Sequence, residues 1–104
     1  MNRVPYLLAL GLIVVSLVAC KKTQKVTCDG SAPTYTSYVK TVVDNNCVSC
    51  HGGYSTYTGL SSITSSGQFE QFVLVKQSMP QSGSLTQDEL NKLQCWVDNG
   101  FPEN

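Results

Sequence analysis

The feature that most constrains this chain is the stretch Cys47-Val48-Ser49-Cys50-His51, which places two thiols and an imidazole within five residues. Cysteines three residues apart lie on the same side of a helix, so both can reach one bound group. The imidazole that follows can then reach a metal at the centre of that group. With 104 residues and a single histidine, the chain is predicted to form one small domain built around this stretch.

The spacing CxxCH is the sequence signature of covalent haem attachment. Cys47 and Cys50 are the predicted thioether residues, His51 is the predicted proximal iron ligand, and one haem c is the predicted cofactor. Two alternatives are weaker. A thioredoxin-like CxxC needs a βαβ setting, and no strand pattern precedes Cys47. A zinc site needs further ligands from elsewhere in the chain.

The N-terminus predicts export. Arg3 precedes an apolar run over residues 6–19, about 14 residues long, which is shorter than a membrane span and suits a signal peptide. The run ends in Leu17-Val18-Ala19-Cys20, which resembles the lipobox of bacterial lipoproteins. That resemblance implies cleavage before Cys20 and lipidation of its thiol. An uncleaved N-terminal anchor is the alternative.

The predicted organisation is a signal peptide over residues 1–19, a lipidated tether over 20–27 and a haem domain over 28–104. The acyl chains on Cys20 would hold the domain on the periplasmic side of a bacterial membrane. Lys21 rather than an aspartate follows Cys20, which somewhat favours the outer membrane.

Charge limits the partners of the domain. From Cys28 onward there are three lysines and seven carboxylates, a formal charge of 3 − 7 = −4. Nucleic acid is not expected as a partner, because phosphate binding needs a basic face. An acidic domain favours partner proteins with a basic docking patch.

Helical periodicity predicts an all-α domain. The spacing of apolar residues predicts a helix over 35–50, with Thr34 as its N-cap and Gly52-Gly53 as its end, so that the CxxCH occupies the last turn. A short helix is predicted within 67–78, where Phe69, Phe72 and Val73 are expected in the core or the wall of the haem pocket. The Ser- and Thr-rich residues 54–66 are predicted as a surface loop.

The last predicted helix starts with a capping box, Thr86-Gln87-Asp88-Glu89, and ends near Gly100 and Pro102. Its predicted buried stripe consists of Leu90, Leu93, Trp96 and Val97.

Taken together, the CxxCH at the end of a helix, the Met79-Pro80 pair in a loop and the closing helix resemble class I c-type cytochromes over residues 30–102. The resemblance implies a cytochrome c-like domain of about three to four helices around one haem, with the first and last helices crossing. It also implies Met79 as the distal iron ligand. Besides Met1, in the predicted signal peptide, Met79 is the only methionine. The alternative for Met79 is an ordinary core residue.

Two cysteines remain, Cys28 and Cys95. An exported chain permits disulfides, so these two thiols are predicted to pair and to join the start of the domain to its last helix. Two free buried thiols are the alternative.

The resemblance implies a one-electron carrier rather than an enzyme, because His/Met ligation fills both axial positions of the iron. A haem sensor or an accessory subunit of a larger oxidase, with a displaceable distal ligand, is the alternative. One departure from the family is the lack of a proline between His51 and Met79. In many relatives such a proline positions the carbonyl that accepts from the haem histidine. Either a carbonyl within 54–66 replaces it, or His51 is oriented less tightly.

Overall fold

The protein is described by a computed structural model covering residues 22–104. The predicted signal peptide, residues 1–19, and the predicted lipidation site, Cys20, lie outside the described residues. Regular secondary structure in the described part consists of helices without strands, which confirms the all-α prediction.

The first helix begins where predicted but ends early. Thr34 and Ser37 form a capping box, with the Ser37 N–H donating to Thr34 Oγ1 at 3.1 Å and the Thr34 N–H donating to Ser37 Oγ at 2.9 Å. A π-helical turn, Tyr35–Val39, continues directly into the α-helix α1, Lys40–Asn46. The prediction of a helix through residue 50 is therefore wrong at its C-terminal end. At Cys47 the backbone leaves the helical region, with φ −125° and ψ −39°, although its N–H still donates to the Val43 carbonyl.

The second α-helix corrects the prediction of a surface loop over 54–66. After a 3₁₀ turn, Gly52–Ser55, the chain forms α2, Tyr57–Ser65. Thr56 caps this helix by accepting a hydrogen bond from the Gly59 N–H at 3.1 Å. Leu60 is buried and Ile63 packs against the core, so α2 has an apolar face despite its hydroxyl-rich composition.

The remaining helices lie where the sequence predicted them. A π-helical segment, Glu70–Val75, falls within the predicted 67–78 helix, and α3 spans Gln87–Asp98. The capping box of α3 is confirmed, since the Glu89 N–H donates to Thr86 Oγ1 and the Thr86 N–H donates to Glu89 Oε1.

The core joins the first and last helices. Trp96 of α3 and Val39 of the first helix are both fully buried in one cluster, and Phe69 meets the Trp96 ring edge-on at 5.8 Å. The C-terminal residues then return to the first helix, where the Tyr35 N–H donates to the Pro102 carbonyl at 2.9 Å. The remaining core residues are Tyr35, Val42, Val43, Leu60, Val73, Leu74, Leu85, Leu90 and Leu93.

A disulfide joins Cys28 to Cys95, with their Cα atoms 4.6 Å apart. Cys95 is fully buried on α3, so the bridge ties the start of the domain to its last helix. Among the helices of residues 22–104, none combines the length and the apolar character that a bilayer crossing requires.

Candidate functional site

The CxxCH stretch forms a compact turn directly after α1. The Cys47 N–H donates to the Val43 carbonyl at 2.8 Å, which continues the helical pattern into the first cysteine. The Cys47 carbonyl then accepts from the N–H groups of Cys50, at 3.2 Å, and His51, at 2.9 Å. These bonds fold the stretch back on itself and keep the two cysteines beside the same cavity.

That cavity has a volume of about 600 Å³, within the range of about 300–1,000 Å³ typical of small-molecule and cofactor sites. Cys47, Cys50, His51 and Met79 all line it, although 28 residues separate His51 from Met79 in the sequence. The structure thus brings together the four residues that the sequence predicted for the haem. The apolar part of the wall comes from Leu60, Ile63, Phe69, Phe72 and Val73, with Tyr54 and Pro80 at its side.

Both motif cysteines are free thiols. Cys47 is half-buried, and this burial raises the pKa of its thiol, because the apolar surroundings disfavour the charged thiolate. Cys50 is exposed at the cavity. The two cysteines therefore differ in exposure, Cys47 being partly covered and Cys50 open to solvent.

His51 is exposed, and its ring stacks on the ring of Tyr54, with centroids 4.7 Å apart and planes 12° apart. The backbone reinforces this contact, since the Tyr54 N–H donates to the His51 carbonyl at 2.9 Å. Within residues 22–104 the His51 ring makes no hydrogen bond to a carbonyl of segment 54–66. Tyr54 is thus the neighbour that orients the imidazole in this structure.

Gly59 fixes the position of the turn after His51. A Cβ atom built on Gly59 would overlap the backbone carbonyl of Gly53, so the N-terminal turn of α2 packs directly against the 3₁₀ turn. Only glycine permits so close an approach of two backbones. This contact sets the distance between α2, which supplies Leu60 and Ile63 to the wall, and the motif.

Met79 lines the same cavity from a loop. It is half-buried, and its N–H and that of Ser78 both donate to the Phe72 carbonyl, at 3.2 and 3.0 Å. The Met79–Pro80 peptide is cis. These bonds tie the start of the loop to the helical segment that supplies the aromatic wall.

The zinc alternative finds no support in the arrangement of ligand atoms. In the described part of the chain, the one group of three Cys, His or acidic residues with ligand atoms close enough for a single ion is Cys28, Asp29 and Cys95. Two of its members, Cys28 and Cys95, form the disulfide and have no free thiol to offer a metal. The cavity lining includes no carboxylate that could complete a site with Cys47, Cys50 and His51.

The wall contributed by α2 escaped prediction. Tyr57, Leu60 and Ile63 recur at three-residue steps, which is a helical signal, but the surrounding serines, threonines and glycine outweighed it. The stacking of Tyr54 on His51 has no periodic signal, because it depends on the 3₁₀ turn between them.

Comparison with protein-family models, with curated proteins and with solved structures gives no match for the chain. The chemistry of the site itself is therefore the basis for its function.

Proposed function

We propose that the chain is a monohaem c-type cytochrome domain that transfers single electrons. The observation that carries this proposal is the convergence of Cys47, Cys50, His51 and Met79 on one cavity of about 600 Å³. Two thiols, an imidazole and a thioether are the groups that covalent attachment and His/Met ligation need. A cytochrome c-like fold with the haem at its centre is part of the proposal.

The cavity fits a haem in three respects. Its size is that of a cofactor site, its wall is largely apolar, and its cysteines are free. The ligand atoms of Cys47, Cys50 and His51 do not converge as they would around a bare ion. A broad group with two attachment points and a central metal accounts for this spread better than a zinc ion does.

When bound, the haem supplies one-electron oxidation and reduction at its iron. The side chains of the protein hold it and set its surroundings. Cys47 and Cys50 would carry the thioether links, and His51 and Met79 would ligate the iron, a ligand set that favours electron transfer over the binding of oxygen or a substrate. The buried wall residues Phe69, Leu60 and Val73 would keep water from the iron and thereby raise its reduction potential.

The physiological setting belongs to the same proposal. The signal peptide and the lipid on Cys20 would place the domain on the periplasmic side of a membrane. The excess of carboxylates from Cys28 onward favours electron donors and acceptors that present a basic patch.

Substitution of the distal ligand separates an electron carrier from a sensor. For an electron carrier, the reduced wild-type holoprotein should bind carbon monoxide slowly, whereas Met79→Ala should bind it rapidly. The same substitution should lower the reduction potential, within the roughly 0.8 V that axial ligands control. Gln81→Ala, at the exposed rim of the same cavity, is the matched control and should behave as wild type.

Rapid carbon monoxide binding to the wild type, together with no spectroscopic sign of methionine on the iron, would contradict this function. That result would favour a haem sensor or an accessory subunit with a displaceable ligand.

A further inference from the structure

Residues 22–27, here called the N-terminal strap, lie against the domain rather than ahead of it. The Gln24 N–H donates to Gln77 Oε1 at 2.9 Å, and Gln77 Nε2 donates back to the Gln24 carbonyl at 2.7 Å. The Gln77 side chain thus pairs with both backbone groups of Gln24. The Gln77 amide thus makes the pair of hydrogen bonds that the backbone of a neighbouring β-strand would make. These two bonds join the strap to the loop that carries Met79.

The Gln24 side chain makes a second link. Its Nε2 donates to the Leu85 carbonyl at 3.1 Å, and Leu85 is buried at the far end of the same loop. Gln24 therefore contacts residue 77 before Met79 and residue 85 after it. One strap residue spans both ends of the loop from which the proposed distal ligand extends.

Gln77 occupies a position where the backbone depends on such support. Its φ is 52°, in the left-handed region that residues other than glycine and asparagine rarely adopt. A residue held in this region persists when its surroundings determine the conformation. The paired hydrogen bonds to Gln24 are interactions of that kind, and they lie two residues before Met79.

The strap itself is fixed along its length. Gln87 Nε2 donates to the Lys25 carbonyl at 2.6 Å, the Thr27 N–H donates to Asn91 Oδ1 at 3.2 Å, and the disulfide follows at Cys28. Between strap and loop lies a small cavity of about 140 Å³, and Met79 lines both this cavity and the larger one. Met79 is therefore a shared wall between the strap and the proposed haem site.

From these contacts we propose that the strap is part of the distal side of the site, and that Gln24 and Gln77 are positioning residues for Met79. The inference rests on the proposed function, because it concerns the ligand that Met79 would supply. The strap, which follows the predicted lipid anchor, would thus be connected by hydrogen bonds to the loop that carries Met79.

Competition by added imidazole for the ferric iron tests the inference in the full-length holoprotein. Gln77→Ala removes both hydrogen bonds to the strap and a longer one, at 3.3 Å, from Gln77 Nε2 to the Leu74 carbonyl, and Gln24→Ala removes the bond to Leu85. Since the two bonds to the strap stabilise the ligating form of the loop, imidazole affinity should rise by about tenfold in Gln77→Ala. Gln24→Ala should show a smaller rise. Gln94→Ala, which removes a side-chain bond to Asp98 Oδ1 at 2.8 Å within α3 and none to the strap or the loop, is the matched control and should stay near wild type.

Amide hydrogen exchange gives an independent readout. Exchange at Ser78 and Met79 should be faster in Gln77→Ala, while the amides of α3 keep their protection.

The outcomes separate this inference from the proposed function. If Met79→Ala binds imidazole more tightly than wild type but Gln77→Ala and Gln24→Ala do not, Met79 is a ligand and the strap does not position it. If wild type and Met79→Ala bind imidazole equally, Met79 is not a ligand, and the proposal for the strap fails with it. Unchanged exchange at Ser78 and Met79 in Gln77→Ala would also overturn the inference.

Discussion

At the scale of residues, the proposed haem site depends on four side chains whose chemical types cannot be exchanged. His51 is the only histidine, and Met79 is the only methionine besides Met1, so no other residue of these types could replace either as a ligand of the proposed haem. Two neighbours support His51. Tyr54 stacks on its ring, and Gly59 lets the start of α2 pack against the backbone of Gly53 in the turn that follows His51. Outside the site, Asp29, next to the disulfide, is the carboxylate whose pKa departs clearly from its ordinary value.

The pKa of Asp29 is lowered from its ordinary 3.8 to about 2. The Ser31 side chain and backbone N–H are the main cause, with Lys92 adding to them. Of the two Ser31 groups, the N–H makes the well-formed hydrogen bond, at 2.9 Å to Asp29 Oδ1, whereas the hydroxyl has no partner in hydrogen-bond geometry. Lys92 Nζ lies 3.2 Å from the other carboxylate oxygen.

A carboxylate with a depressed folded-state pKa stabilises the fold above its unfolded pKa. That contribution is lost as the pH falls from about 4 through about 2. We therefore expect the free energy of unfolding of Asp29→Asn to fall less than that of the wild type between about pH 4 and about pH 2. Lys92→Met should differ less from the wild type, because Ser31 contributes more than Lys92 does. Urea midpoints of the holoprotein at pH 2, 3, 4 and 6 measure the slopes, and a slope for Asp29→Asn parallel to that of the wild type would contradict this assignment.

At the scale of elements, local signals predicted the starts of helices better than their ends. The Thr34 and Thr86 caps were identified from the sequence because their hydrogen bonds lie within three residues. The end of α1 at Asn46 and the presence of α2 were not. The helix α1 ends where the backbone of Cys47 leaves helical dihedral angles, before the glycines that the sequence offers as a stop. The helix α2 depends on apolar residues within a hydroxyl-rich stretch.

In the site, too, features set by the local sequence could be predicted, and features set by contacts between distant residues could not. The motif and Met79 could be named from the sequence, and the structure places them on one cavity. The link between Gln24 and Gln77 joins residues 53 apart by side-chain amide bonds, which leave no periodic pattern. The close approach of Gly59 to Gly53 is likewise set by how two elements pack, so only coordinates reveal it.

Packing of α2 against the turn after His51 can be tested by adding a single methyl group. Gly59→Ala should destabilise the holoprotein by about 1–3 kcal/mol, the usual cost of forcing extra volume into a packed contact. The matched control is Gly53→Ala, whose Cβ meets no atom within 4 Å. The free energies of unfolding in urea report both effects. Equal stabilities for the two variants would show that the backbones can separate without cost.

At the scale of the whole molecule, the domain has a small core beside a large cavity. The helices share one buried cluster centred on Trp96, while about 600 Å³ next to it is bounded by apolar walls. Small domains bury a modest fraction of their surface and are marginally stable on burial alone. A haem in the cavity would extend the core, and the disulfide would restrict the unfolded chain across 67 residues.

A variant that cannot attach haem should therefore lose its fixed packing. We expect Cys47→Ala/Cys50→Ala, produced without haem, to bind a hydrophobic dye and to melt without a cooperative transition, while it keeps much of its helical circular dichroism. The disulfide should remain intact in this variant. A sharp calorimetric transition close to that of the holoprotein would show that the helices form a complete core by themselves.

The proposed function requires that one haem is attached through Cys47 and Cys50. The most direct measurement is the intact mass under denaturing conditions, after co-expression with a c-type haem maturation system. The wild type should carry the mass of one haem that acidic solvent does not extract, and Cys47→Ser/Cys50→Ser should carry none. A wild-type chain whose mass equals that of the polypeptide alone, or whose haem is extracted by acidic solvent, would contradict the claim.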